Sequence, residues 1–188
     1  MDVIIIHGCP AGDENEMNES TRTYDKHWIG WIKEELSSRG IPVSVPLMPH
    51  PWEPEYDSYN TEFKRYPVTK DTVLIGHSGG CAFLVRWLGE TKQKIKKLIL
   101  VAPWKIPDAG NQIQEKFYGF VIDKTIRDRV GEIVMFTADN EAEDGRKSLT
   151  LYKKEFGGRV ISLPGHGHYI HRDMGTDEFS ELLDLIVP

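Results

Sequence analysis

Residues 72–80 of the chain read Thr-Val-Leu-Ile-Gly-His-Ser-Gly-Gly, and this stretch decides the fold. Residues 72–75 have the β-branched and apolar character of a buried strand, and residues 81–88 continue as an apolar stretch of helical length. Between them, Gly76-His77-Ser78-Gly79-Gly80 matches the pattern G-x-S-x-G in the strand-turn-helix setting that this pattern requires. Small residues are needed two positions before and after the serine, because its strained backbone leaves no room for side chains there. The stretch predicts a sharp turn that exposes the Ser78 hydroxyl.

Short strands alternate with helices along the rest of the chain. We expect strands at residues 3–7, 43–47, 72–75, 97–102, 132–137 and 159–163, and helices at residues 26–39, 59–65, 81–88, 145–156 and 177–186. The alternation implies crossover connections, and therefore an α/β fold in which helices cover both faces of a mostly parallel, six-stranded sheet. This is a three-layer, doubly wound architecture. No repeat, linker or low-complexity tract interrupts the chain, which predicts a single domain over residues 1–188.

The amino-acid composition limits the kinds of binding partner that we expect for this chain. The 188 residues carry 23 basic and 29 acidic side chains, a formal charge of −6, so we expect no nucleic-acid surface and no patch for an anionic membrane. The N-terminal sequence lacks a basic segment, and its apolar run is too short for a signal peptide. Two cysteines, Cys9 and Cys81, provide neither a disulfide framework nor a zinc site. These features favour the cytoplasm and a small-molecule partner, and they do not indicate a protein partner.

A serine hydroxyl needs a neighbouring base to act as a nucleophile. In a parallel sheet, reactive groups collect at the carboxyl ends of the strands. The loop after strand six reads Pro-Gly-His-Gly-His-Tyr over residues 164–169. We expect His168 to be the base, because the glycine before it lets the loop turn tightly over the serine, and we keep His166 as the reserve. The histidines at positions 27, 50 and 171 fit a surface role better.

An acid that orients the base should follow strand five. That strand ends in Phe-Thr-Ala-Asp-Asn over residues 136–140, and Asp139 is the predicted acid. Glu141 and Asp144 lie nearby and compete for the same role. The order Ser78, Asp139, His168 is the serine–acid–histidine order found in α/β-hydrolases.

Two backbone N–H groups are also needed to bind the oxyanion of an acyl-transfer intermediate. One is expected from Gly79, directly after the nucleophile. The other is expected from Cys9 in the loop after strand one, because Pro10 has no N–H. His7 is expected to shape that turn. Whether residues 9–25 form a lid over this region stays open.

Four segments together resemble a known family: V-I-I-I-H-G at 3–8, L-I-G-H-S-G-G at 74–80, F-T-A-D-N at 136–140 and G-H-G-H-Y at 165–169. The chain resembles the compact serine hydrolases of the YdeN and retinoblastoma-binding protein 9 family over nearly its whole length. The resemblance implies an α/β-hydrolase fold without a large cap, esterase-like or peptidase-like activity, and no metal. It places nucleophile, acid and base at Ser78, Asp139 and His168. Relatives often carry a second acid and a proline shortly after the aspartate, whereas this chain continues Asn-Glu-Ala-Glu.

These features predict a cofactor-free serine hydrolase that acts by acyl transfer on a small ester or amide, closer to a carboxylesterase than to a peptidase. Trp52, Trp104 and Tyr118 are candidate pocket walls, and Phe117 and Phe120 fit the core better. One alternative is a hydrolase scaffold with weak turnover that binds a protein or ligand. A metal hydrolase using His166, His168, His171 and Asp173, and a thiol nucleophile at Cys81, are further alternatives.

Overall fold

One six-stranded sheet forms the centre of the molecule. A computed structural model of the chain describes residues 1–9 and 27–187. Its strands pair in the order β2-β1-β3-β4-β5-β6, and every neighbouring pair is parallel. The strands are β1 (Asp2–Ile6), β2 (Val43–Ser44), β3 (Thr72–His77), β4 (Ile95–Val101), β5 (Val130–Ala138) and β6 (Arg159–Leu163).

Helices cover both faces of this sheet. They are α1 (Trp28–Ser38), α2 (Tyr56–Phe63), α3 (Gly79–Thr91), α4 (Gln112–Tyr118), α5 (Glu143–Phe156), α6 (His171–Met174) and α7 (Ser180–Ile186), with a 3₁₀ turn at Lys124–Asp128. Alternate strand residues point to opposite faces, so Ile4 and Ile6 join a core with α2, α3 and α5, while Val3 and Ile5 pack beneath α1 and α7. The predicted three-layer α/β fold is confirmed, and the sheet is parallel throughout.

Several elements differ from the sequence-based prediction, most of them by one to three residues at an end. Strand β2 ends at Ser44 instead of residue 47, and beyond it the Met48 N–H bonds the His7 imidazole. Helix α2 begins three residues earlier than predicted, at Tyr56. The short helix α6 was not predicted. The expected start of α1 at residue 26 and the long loop before it fall outside the described residues.

The topology gathers the polar loops at one edge. Because all strands are parallel, the loops that follow β1, β3, β4, β5 and β6 all leave from the same edge of the sheet. The strand order reverses between β1 and β3, which places the turn after β3 at the centre of that edge. Among the described helices, none is both long enough and apolar enough to cross a bilayer.

Candidate active site

A strained turn at Ser78 joins β3 to α3. Its backbone has φ 51° and ψ −120°, a conformation that L-residues rarely adopt and that surrounding packing must hold. A Cβ atom at Gly76 would lie 2.8 Å from the backbone nitrogen of Cys81, and one at Gly80 would collide with the carbonyl oxygens of Ile6 and His7 at the end of β1. Glycine at both positions therefore allows the strand and the helix to approach closely enough to form the turn.

The Ser78 hydroxyl contacts the imidazole of His168. The Oγ atom lies 2.8 Å from Nε2, and Nδ1 of the same ring lies 3.1 Å and 3.2 Å from the two carboxylate oxygens of Glu141. A carboxylate only accepts, so Nδ1 carries the proton and donates it to Glu141. Nε2 is then left as the acceptor for the serine proton. The arrangement has the geometry of a nucleophile, a base and an orienting acid.

Glu141, and not Asp139, contacts the His168 ring. The Glu141 side chain is 1% exposed, and its carboxylate also accepts the Ala142 N–H at 2.7 Å. The exposed Asp139 carboxylate accepts the Gly165 N–H at 2.7 Å instead. The expectation that Asp139 meets the base therefore disagrees with the geometry. The physical reason is the path of the loop after β5, which turns back toward the sheet at residue 141 and directs the longer side chain inward.

His166, the reserve base, has its hydrogen-bond contact within its own loop. Nδ1 of His166 lies 2.8 Å from the carbonyl oxygen of Pro164, within its own loop. Gly167 has φ +49° and turns the chain so that the next residue faces Ser78. Of the two candidate histidines, the structure brings only His168 to the hydroxyl.

His77 holds the backbone of residue 168. Its Nε2 lies 2.9 Å from the His168 carbonyl oxygen and donates to it. Burial, with a smaller contribution from the neighbouring His168, lowers the pKa of His77 well below its ordinary value, so the ring is neutral at pH 7. The second residue of the predicted G-x-S-x-G turn, directly before Ser78, therefore links that turn to the backbone of His168.

Cys9 and Gly79 lie side by side next to Ser78. A Cβ atom at Gly79 would lie 2.5 Å from Cys9 Sγ, and one at Gly8 would lie 3.0 Å from Ser78 Cβ. Gly79 opens α3, and its N–H therefore has no acceptor within the helix. Burial raises the pKa of the Cys9 thiol to about 11, so the thiol stays protonated. The loop after β1 thus borders the first turn of α3, as an oxyanion site requires.

His7 shapes the loop after β1 through two hydrogen bonds. Its Nε2 accepts the Met48 N–H at 3.0 Å, so Nδ1 carries the proton and donates to the Gly8 carbonyl oxygen at 2.7 Å. The ring is 1% exposed. Its place in the structure agrees with the structural role expected from the sequence.

Two aromatic residues lie close to the reacting groups. The Trp104 ring meets the His168 ring edge-on, with 5.4 Å between centroids, and the Tyr118 hydroxyl would lie 2.8 Å from a Cβ at Gly79. Phe117 is buried in the core, as expected. Phe120 packs under the Lys105 ammonium, and Trp52 contacts His50.

The residues of the alternative metal site have separate partners. His171 pairs with Asp177 at 2.6 Å, and Asp173 accepts the His168 N–H at 2.9 Å. Within residues 1–9 and 27–187, no three His, Cys, Asp or Glu side chains form a group that could hold a metal ion. Cys81 is fully buried and donates toward the Val101 carbonyl, and burial raises the pKa of its thiol well above the ordinary value.

A glycine in α5 leaves room for the Glu141 side chain. Gly145 is buried in the first turn of α5, where a Cβ atom would lie 2.7 Å from the Glu141 carboxylate carbon. Glycine is costly inside a helix, so its presence there signals that a neighbouring group needs the space. The sequence shows the glycine, and the structure shows that the group it accommodates is Glu141.

Comparison with known proteins identifies a family for the chain and similar solved structures. A family model for serine hydrolases matches residues 19–187. The structure of the ydeN gene product from B. subtilis is similar, with a TM-score of 0.81 and 19% identity, over 98% of this chain and 96% of that one.

Two further structures have the same fold. A putative YdeN-like hydrolase from Pectobacterium atrosepticum has a TM-score of 0.67 and 14% identity, over 98% of this chain and 88% of that one. Est1E from Butyrivibrio proteoclasticus has a TM-score of 0.64 and 16% identity, over 99% of this chain and 88% of that one. No curated protein sequence matches at a significant level. Because the family model spans most of the residues, the chain belongs to the serine hydrolase family, and it is a hydrolase with the compact α/β-hydrolase fold of YdeN.

Proposed function

We propose that this hydrolase cleaves small carboxylic esters by acyl transfer, through a triad of Ser78, His168 and Glu141. The observation that carries the proposal is the continuous contact from Ser78 Oγ to His168 Nε2 at 2.8 Å and from His168 Nδ1 to the buried Glu141 carboxylate. Neither contact alone distinguishes a catalytic group from a structural one. Together with the strained turn at Ser78, they match the requirements of an activated serine.

The reaction starts when Ser78 Oγ attacks the substrate carbonyl carbon and His168 Nε2 takes the hydroxyl proton. The carbonyl π electrons move onto oxygen and form a tetrahedral oxyanion. When this collapses, the bond to the alcohol oxygen breaks, and Nε2 returns the proton to the departing alkoxide. Water then repeats the sequence on the acyl-serine and releases the carboxylic acid. Glu141 keeps Nδ1 protonated and stabilises the charged imidazolium during both steps.

The oxyanion is proposed to bind the N–H groups of Gly79 and Cys9. Gly79 supports this role because it begins α3, where free backbone N–H groups and the helix dipole favour negative charge. Cys9 supports it because its side chain contacts Gly79. The high pKa of the Cys9 thiol argues against a second nucleophile.

An apolar acyl or aryl group is proposed to lie against Trp104. This ring already contacts His168 and is only partly buried, so it offers an apolar wall beside the reacting atoms. A structure of Est1E with ferulic acid bound gives a precedent for an aryl ligand in this fold. We further propose a cytoplasmic location, supported by two cysteines that are both free.

Labelling with a fluorophosphonate probe tests the nucleophile. The intact chain should be labelled on Ser78 and should hydrolyse short p-nitrophenyl esters, and Ser78→Ala should lose both. Ser162→Ala, an exposed serine in β6, is the matched control and should behave as the wild type. An unlabelled, inactive wild type would contradict the proposal.

Glu141→Gln tests the acid. The amide group cannot balance the imidazolium charge, so we expect kcat to fall by about 100-fold or more, with a small change in KM. A wild-type kcat in this variant would show that Glu141 is not a member of the triad.

The second candidate function is a binding module with weak turnover. It would be favoured by a Ser78 that reacts with the probe while no ester or aminoacyl anilide is turned over. A graded series of ester chain lengths, run beside anilides, distinguishes the two functions and separates esters from amides.

A further inference from the structure

We propose that Asp139 and Asn140 are positioning residues that hold the base loop, defined as residues 164–169, in the conformation that places His168 on Ser78. The inference rests on the proposed function. It gives a role to the residue first expected to be the acid, and it adds Asn140, which the sequence did not single out.

Three consecutive side chains after β5 meet the base loop. The Asp139 Oδ1 atom accepts the Gly165 N–H at 2.7 Å, and the Asn140 Oδ1 atom accepts the Gly167 N–H at 2.8 Å. Glu141 then accepts from the His168 ring. Each side chain therefore binds one successive point of the loop, and only the third contact involves a titratable ring.

The base loop needs such external contacts. Gly165, Gly167 and Tyr169 all have positive φ values, of +71°, +49° and +58°. Glycines in this region lose much conformational freedom on folding, and nothing intrinsic to them selects this one conformation. Hydrogen bonds from a neighbouring loop can select it, because each satisfies a backbone N–H that water would otherwise bind.

The opposite side of the loop is held separately. Asp173 accepts the His168 N–H at 2.9 Å, and His77 donates to the His168 carbonyl oxygen. These contacts fix the backbone of residue 168 itself. Asp139 and Asn140 fix the two glycines before it, and so determine the direction from which the imidazole approaches Ser78.

The chemistry of the two contacts gives a sharp test. Both side chains act only as acceptors from a backbone N–H, so the charge of Asp139 is not required. Asp139→Asn keeps an acceptor oxygen and should retain kcat within about 2-fold, whereas Glu141→Gln should lose about 100-fold or more. If Asp139 were the acid, these two results would be reversed.

Removal of the acceptors should lower kcat and leave KM nearly unchanged. We expect about a 5- to 10-fold loss in Asp139→Ala and in Asn140→Ala, because each loses one hydrogen bond of ordinary strength. The double variant should lose more than either single variant. Asp128→Ala, an exposed aspartate at the opposite end of β5, is the matched control and should leave kcat unchanged.

The measurements are ester hydrolysis and amide hydrogen exchange of the base loop in the full chain. Faster exchange at Gly165 and Gly167 in the alanine variants, with the thermal midpoint kept, supports a positioning role. Unchanged exchange and kcat in both alanine variants, or a loss in Asp139→Asn as large as in Glu141→Gln, would overturn it. If the wild type hydrolyses nothing, the proposed function fails, and the exchange result alone still decides whether Asp139 and Asn140 hold the loop.

Discussion

At position 145 the absence of a side chain leaves space for the Glu141 carboxylate. In Gly145→Ala the new Cβ atom would lie 2.7 Å from the carboxylate carbon, and the flexible glutamate would move before the helix does. We expect kcat for ester hydrolysis to fall by about 10- to 100-fold, because a displacement near 1 Å is costly in a catalytic contact. Steady-state kinetics beside thermal unfolding should show the loss of activity without a loss of stability.

Gly89→Ala in α3 is the matched control. It is also a glycine inside a helix, and its Cβ would approach only the Asp123 Cβ, at 3.3 Å. Its kcat should stay at the wild-type value. Equal activity in Gly145→Ala would mean that Glu141 tolerates displacement and does not orient the base.

The candidate nucleophile and base could be predicted from local pattern, whereas the acid could not. Ser78 and His168 lie in glycine-rich turns whose shape depends on a few adjacent residues, so their sequences carry the geometry. After β5, three polar residues follow one another, and the loop path decides which of them faces inward. Asp139 stands nearest the end of the strand, but the Gly165 N–H binds it, and the structure directs Glu141 to the ring.

At the scale of elements, the contact between β1 and α3 depends on one residue. A Cβ atom at Gly80 would collide with two backbone carbonyl oxygens, that of Ile6 at the end of the central strand β1 and that of His7 directly after it, and backbone atoms there cannot move aside. We expect Gly80→Ala to lower the free energy of unfolding by about 3 kcal/mol or more, at the upper end of overpacking effects. Chemical denaturation measures this, and Gly89→Ala again serves as the control. A loss below about 1 kcal/mol, as typical of tolerated substitutions, would contradict the close approach.

Elements with strong local signals were predicted, and those that depend on tertiary contacts were not. Strands β3, β4 and β5 are apolar and buried, so their residues reveal them directly. Strand β2 is a two-residue edge strand that pairs with β1 only, and Met48 beyond it bonds the His7 side chain. No property of residues 45–48 alone shows where His7 lies.

At the scale of the whole molecule, one parallel sheet brings together groups that are far apart in the chain. Ser78 and His168 are separated by 90 positions, and Ser78 lies at the centre of the edge where the loops meet. This edge also buries His77 among Trp28, His168 and the serine turn. This edge therefore contains a buried histidine, next to Ser78, whose protonation the folded state resists.

That burial predicts a loss of stability in mild acid. The folded state holds the His77 pKa well below the ordinary value, mainly through burial, whereas the unfolded chain has an ordinary pKa of about 6.5. As the pH falls below that value, only the unfolded chain takes up this proton, and the free energy of unfolding decreases by up to about 1.4 kcal/mol per pH unit. In His77→Gln this contribution is absent. The variant should be less stable than the wild type at pH 7.5, and the difference should shrink by pH 5.5.

Urea denaturation of both proteins at the two pH values measures this difference. His171→Gln, which removes an exposed histidine paired with Asp177, is the control. Equal pH slopes in the wild type and His77→Gln would show that His77 binds its proton equally well in the folded and unfolded states. Burial of His77 would then not lower its pKa in the folded state, and the predicted loss of stability in mild acid would be wrong.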